Sequence, residues 1–182
     1  MTTALLIVDI QNDYFPGGTM EVTGAEIAAA QAAALLAAFR QRNRPVVHIQ
    51  HIAARPGATF FLPSTVGAEI HESVRPSSEE AVFQKHFPNS FRETPLLEHL
   101  RTGGITQLVI AGMMTHMCID TTTRAAADLG FKCFLAHDAC ATRALSFNGV
   151  TVDAESVQTA YLAALNGLFA KVLPARELDG DL

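Results

Sequence analysis

Residues 108–122, LVIAGMMTHMCIDTT, decide the fold. Leu108-Val109-Ile110-Ala111 is an apolar run of strand length, Gly112 breaks it, and the residues after Cys118 read as a helix over 119–129. A short apolar run that ends at glycine and gives way to a helix is a buried strand, a tight turn and a helix start. The turn sets Cys118 near a helix N-terminus, where free N–H groups and the helix dipole favour a thiolate. Strand, turn, nucleophile and helix in that order is the layout of a covalent-catalysis elbow. The competing reading makes Cys118 a small buried hydrophobe, the common fate of free cysteine.

Composition narrows the class. The chain has 182 residues, 49% apolar and 17% charged, which suits a folded soluble domain with a substantial core and not a disordered segment. A net charge of −5 argues against nucleic acid as a partner, because phosphate binding needs a basic footprint. No apolar run approaches the ~20 residues that cross a bilayer, so no membrane partner is expected. Met1-Thr2-Thr3 lacks the basic segment of a signal peptide. Three cysteines, 118, 133 and 140, form neither a disulfide framework nor a C-x-x-C knuckle, which fits a reducing cytoplasm.

Outward from the central stretch, strands and helices alternate. Ala4–Val8 is a continuous apolar run ending in Asp9, the pattern of a parallel strand buried on both faces. Thr23 and Glu26 have capping-box spacing, and the helix after them carries Ile27, Ala34, Leu35 and Phe39 toward the sheet and stops before Pro45. Pro45–His51 is a second strand. His48 and His51, three apart on a strand, point to opposite faces, so one packs and the other borders the cleft, and a metal held by both would need a bend between them. Residues 53–80 are a long excursion with an apolar centre at 59–63, either a satellite cluster, a lid or a subunit contact. Glu80–Gln84 is a third strand followed by Lys85, 94–102 a helix with proline in its first turn, and Gln107–Ala111 the fourth strand. Phe131–Ala136 is the fifth strand, Asp153 the N-cap of a last helix, Phe169–Leu173 a sixth strand, and 176–182 a polar, loose tail.

This alternation gives one α/β domain over 1–182: three layers, α/β/α, around a six-stranded parallel sheet of order 3-2-1-4-5-6, Rossmann-like. Strands one and four are then neighbours at the point where the order reverses, and ligands gather there at the carboxyl ends of strands. Asp9 and Cys118 both fall at that point. Lys85 ends strand three, about 10 Å away at ~4.8 Å per strand, and its side chain spans much of the gap. An acid, a base and a thiol thus converge on one sheet edge.

At these residues the chain resembles the isochorismatase-like cysteine hydrolases, a family with amidases and nicotinamidases in it. The motifs are LLIVDIQNDY at 5–14, FQKHFPNSF at 83–91 and IAGMMTHMCIDTT at 110–122. The resemblance implies a catalytic triad of Asp9, Lys85 and Cys118. It implies a cis peptide between Met113 and Met114 and an oxyanion hole from the backbone N–H groups of Met114 and Cys118. It implies a homo-oligomer, no cofactor, and hydrolysis of a small amide or lactam through a thioester, since isochorismatases proper attack a vinyl ether without the cysteine. Nicotinamidases of the family carry an Asp-x-His…His metal site after the second strand. Here that region reads His48-Ile49-Gln50-His51-Ile52-Ala53, which argues against a metal. The MMTHMC turn and loop 59–63 look like those of streptothricin-hydrolase-like members. Substrate-binding candidates are Gln11, Phe15, His51, Phe60, His116 and Phe147, though each aromatic can equally be core.

Two other readings stay open: a catalytically idle binding or scaffold protein on the same fold, and a metal-dependent nicotinamidase. A nucleotide-binding α/β protein is disfavoured because the loop from Asp9 to Gly18 holds neither G-x-G-x-x-G nor a P-loop.

Overall fold

In the computed structural model, which describes residues 2–178, the chain forms strands β1 (Thr2–Val8), β2 (Val46–His51), β3 (Ala81–Lys85), β4 (Ile105–Met113), β5 (Lys132–Ala141), β6 (Leu145–Phe147), β7 (Val150–Val152) and β8 (Lys171–Leu173). Between them lie helices α1 (Ala25–Gln41), α2 (Leu96–Thr102), α3 (Asp120–Asp128) and α4 (Ala154–Leu165). Six strands make one parallel sheet in the order β3-β2-β1-β4-β5-β8. The expected order is therefore observed, with the sixth position taken by the eighth strand of the chain.

The two additional strands are an antiparallel hairpin, β6 on β7, outside the sheet. Its turn, Asn148-Gly149, has positive φ at both residues, 49° and 79°, as a type I′ turn requires. Asn-Gly is a strong hairpin signal, yet the six-strand reading passes over it because the strands are only three residues long.

Period-two alternation sends β1 to both faces of the sheet. Leu5 and Ile7 join the core under α1, and Ala4, Leu6 and Val8 the core under α2, α3 and α4. Helix α1 buries Ala28, Ala29, Ala32, Leu35, Leu36 and Phe39. Ile27, expected on this face, is 72% exposed, since the alanines set the buried stripe. Thr23 is not the cap: Gly24, with φ 77°, occupies that position. Asp153 does cap α4, its carboxylate accepting from Ser156 N.

Strand β4 runs on through Gly112 to Met113 and is not broken there. Gly112 pairs with Val8 in the ladder and has φ 136°. A Cβ on it would fall 1.9 Å from the Val8 carbonyl oxygen, so only glycine lets the two central strands approach. Of the tail, Leu178 is fully buried, contrary to the loose segment expected, and 179–182 lie outside the described residues. Among the described residues no helix is long and apolar enough to cross a membrane.

Candidate active site

The sheet topology delivers three charged or nucleophilic groups to one edge. Asp9 follows β1 directly, in a left-handed conformation with φ 51°, and its N–H bonds the Ile49 carbonyl of β2 at 3.0 Å. Lys85 is the last residue of β3, in register with His51 at the end of β2. Cys118 lies one turn beyond β4, in a π-helical turn, Thr115–Ile119, that precedes α3. Such turns insert an extra residue and recur at functional sites. The expected plain helix start is corrected in this respect, and the peptide joining Met113 to Met114 is cis.

All three side chains are buried and mutually close. Lys85 Nζ is 2.7 Å from Asp9 Oδ2 and 3.2 Å from Cys118 Sγ, and it also donates to His51 Nδ1 and the Phe87 carbonyl, each at 3.1 Å. Burial pulls the Lys85 ammonium down, but Asp9, joined by Cys118 whenever its sulfur is anionic, outweighs it and holds the group above its ordinary value. Burial pushes the Cys118 thiol up, Asp9 adds to the rise, and Lys85 only partly opposes it. The helix terminus expected to favour a thiolate is therefore overridden, and the resting group is a thiol beside a carboxylate. His51 is lowered to about 4, mainly by burial, so it is neutral at pH 7. An ammonium has no lone pair, so His51 Nδ1 is the acceptor and the proton sits on Nε2.

Asp9, His51 and Cys118 also form the one group of three potential metal ligands among the described residues, with ligand atoms within 4.8 Å of one another. Lys85 Nζ contacts all three, so their lone pairs already converge on a cation. His48, the other histidine of β2, faces away and bonds Glu80 Oε2 at 2.9 Å. This donor set does not resemble a pre-formed metal cage.

A cavity of about 270 Å³ opens above Cys118. Tyr14, Met20, Phe60, Phe61, Met114 and Met117 form its apolar walls, and His51, Arg55, His86 and Arg143 its polar ones. The excursion 53–80 thus contributes wall, not a detached cluster. Asp13, 5% exposed, fixes it there: its carboxylate accepts from Thr19 and, at 2.6 Å, from Phe61 N.

Of the six substrate-binding candidates, the structure brings His51 and Phe60 to the cavity. The other four are placed elsewhere. Gln11 is fully buried and its amide is used up, donating to the His51 and Ala68 carbonyls and accepting from His51 N at 2.7 Å. Gln11 therefore fixes the end of β2 and does not face a ligand. Phe15 stacks on His71 at 3.6 Å between centroids. His116 turns away to Thr142 Oγ1, at 2.5 Å, and to the Tyr161 ring. Phe147 is 80% exposed on the β6–β7 hairpin. Arg143 and Met117, not expected from sequence, do line the cavity. Arg143 follows a strand end just as Asp9 and Lys85 do, and the same rule applied to β5 finds it.

The chain matches known proteins along nearly its whole length. The family model of the Isochorismatase domain matches residues 3–177. An isochorismatase-family protein of Bacillus subtilis (strain 168), YddQ, is 53% identical over 94% of this chain and 96% of its own. A crystal structure described as an isochorismatase-type hydrolase from Oleispira antarctica superposes with a TM-score of 0.94 at 52% identity, covering 98% of this chain and 96% of that one. Streptothricin hydrolase from Streptomyces noursei is 38% identical over 76% of this chain, which spans 49% of that protein.

Proposed function

The chain belongs to the isochorismatase family of hydrolases, and from that premise we propose that it cleaves the C–N bond of a small amide or lactam with Cys118 as nucleophile. One observation carries the reading. A thiol, a carboxylate and an ammonium from three separate strand ends lie within hydrogen-bonding reach beneath a cavity sized for a small molecule.

Because Cys118 rests as a thiol, the attack needs a base within reach, and Asp9 is that base. Asp9 takes the thiol proton as sulfur bonds to the carbonyl carbon, and the carbonyl electron pair moves onto oxygen. Backbone N–H groups of Met114 and Cys118 receive that oxyanion. Collapse breaks the C–N bond, and the departing nitrogen takes the proton back from Asp9, leaving a thioester. Water then loses a proton to Asp9 and attacks the thioester. The acid leaves and sulfur recovers its proton from Asp9. Lys85 stays charged throughout, offsetting whichever of Asp9 and Cys118 is anionic.

Ammonia release over primary amides, together with ring-opening of lactams, tests this with Cys118→Ala as the blank. Turnover in the wild type and none in the variant is the expected result. Turnover of a responsive amide by Cys118→Ala at the wild-type rate overturns the scheme.

A further inference from the structure

The cavity is basic in an acidic protein. The chain carries 18 acidic against 13 basic residues, yet no Asp or Glu lines the cavity above Cys118, while Arg55, Arg143, His51 and His86 do. Asp9, beneath the floor, is paired with Lys85 and leaves no surplus negative charge there. Neither Arg55 nor Arg143 pairs with a carboxylate among the described residues, and Arg143 reaches only the Ala144 carbonyl, at 3.5 Å. By contrast, Arg40 and Arg124 each hold a carboxylate at both of its oxygens or with two nitrogens.

Arg143 is exposed, as is Arg55, but the backbone leading to Arg143 is anchored. Ala141 pairs with Met113 in the ladder, and Thr142 is tied to His116. Arg143 therefore leaves the rigid end of β5, two residues past the pairing of Ala141 with Met113, and its side chain lines the cavity. Tyr14 lines the same cavity as Arg143 and Cys118. Burial, then Cys118 and Asp9, raise the Tyr14 phenol well above its ordinary value, and Arg143 opposes them. The phenol is thus a permanent donor that feels both ends of the cavity, and it has no hydrogen-bond acceptor among the described residues.

We propose that the substrate is an amide carrying a carboxylate at the end remote from its carbonyl, held by Arg143 with help from Arg55, which lines the same cavity. Its short apolar body lies against Phe60, Phe61 and Met117. Arg is the side chain whose planar fork matches a carboxylate, and a guanidinium beside apolar walls binds an anion more strongly than one in open solvent. This rests on the amidase reading for its reaction, but anion binding is measurable without turnover.

The first readout is protection of Cys118 from iodoacetamide. Benzoate protects the wild-type thiol, and benzyl alcohol, similar in shape and uncharged, protects at least about ten-fold less well. Arg143→Gln raises the half-protecting benzoate concentration about ten-fold, Arg55→Gln by less, and Arg101→Gln, on α2 outside the cavity, leaves it unchanged. The second readout is the ratio of kcat/KM for adipamate to that for hexanamide, which falls about ten-fold in Arg143→Gln, mainly through KM. Benzoate protecting no better than benzyl alcohol, or protection indifferent to both arginine substitutions, overturns the proposal even when amides are hydrolysed. Inorganic phosphate protecting as well as benzoate overturns the assignment to a carboxylate. Arginine-dependent benzoate protection with no amide turned over sustains the anion site and removes the amidase reading.

Discussion

Strands β2 and β3 carry a histidine and a charged residue at each end, and the two ends behave oppositely. At the starting end, Glu80 precedes β3 and meets His48. Arg40 grips both its oxygens at 2.7 and 2.8 Å, His48 bonds it at 2.9 Å and Ser77 N donates at 2.9 Å. At the finishing end, Lys85 meets His51, Asp9 and Cys118, and a cavity opens above them. The Glu80 cluster is saturated: its carboxylate has four fixed donors, does not line the cavity above Cys118, and holds α1 to the sheet through Arg40. The Asp9 cluster is under-supplied. Its carboxylate has one strong fixed partner, the ammonium, and faces a thiol whose proton it can take. Saturation marks structure, and a deficit next to a cavity marks chemistry.

Removing a nucleophile or base at the finishing end gives the largest effects on turnover. Cys118→Ala takes hydrolysis to the detection limit and Asp9→Asn lowers kcat about 10³-fold or more, whereas Glu80→Gln changes kcat less than about three-fold. Steady-state kinetics on any amide found in the screen checks all three. A Glu80→Gln enzyme crippled as severely as Asp9→Asn breaks the distinction drawn between the clusters.

Stability separates them next. Lys85→Met strands the buried Asp9 charge and destabilises by about 3–5 kcal/mol. Glu80→Gln costs less, because Arg40 is 40% exposed and water replaces what it loses. Since the Lys85 pKa is raised, the contribution of the lysine's titration is complete at neutral pH and is lost in base, as pH rises through the raised value. Urea unfolding of the two variants at pH 7 measures the difference. Equal midpoints contradict it.

Much of the fold is legible in the sequence, for identifiable reasons. Strand order follows from alternation and the switch-point rule, and the same rule brings Asp9, Lys85 and Cys118 to one sheet edge, because residues at or just past strand ends have little freedom. What escaped the sequence lies in side-chain direction and in loops. Phe15 and His116 each sit beside the site in sequence but turn to His71 and Thr142, a rotamer choice that spacing does not encode. Gln11 is near the site, yet its amide is spent on backbone. Arg143 was missed because β5 runs to Ala141, five residues beyond the end its apolar run suggests, carrying polar His137 and Asp138 through a ladder irregularity.

A smaller effect concerns the form in which sulfur waits. Ordinary cysteine titrates near 8.5, and a free-thiolate nucleophile gains rate between pH 7 and 9. Cys118 is pushed up, chiefly by burial, so its thiolate fraction is small throughout that range. With Asp9 taking the proton during attack, kcat/KM is flat from pH 7 to 9, to within about two-fold. Iodoacetamide alkylation of Cys118 shows no inflection near 8.5. A ten-fold rise in kcat/KM across that interval assigns the attack to a pre-formed thiolate and removes Asp9 as base.

The smallest effect tests the saturated end against acid. Burial raises Glu80, but Arg40, Ser77 and His48 outweigh it and bring the carboxyl down from 4.5 to about 2. A depressed carboxylate stabilises the folded state above its unfolded pKa and loses that contribution as pH falls through the folded one. His48, lowered mainly by burial, acts in the same sense, because below pH 6.5 the unfolded chain takes up a proton that the folded one resists. Glu80→Gln removes the carboxylate's share. Its melting temperature therefore lies roughly 2–4 °C below wild type at pH 7, the shift that ~1 kcal/mol causes in a domain of this size. The gap holds down to pH 4.5 and closes toward pH 2, where wild-type Glu80 has itself taken a proton. Melting curves across this range decide it. A gap that stays constant to pH 2 means that Glu80 acts through packing, and the contrast between the ends of β2 and β3 then rests on shape instead of charge.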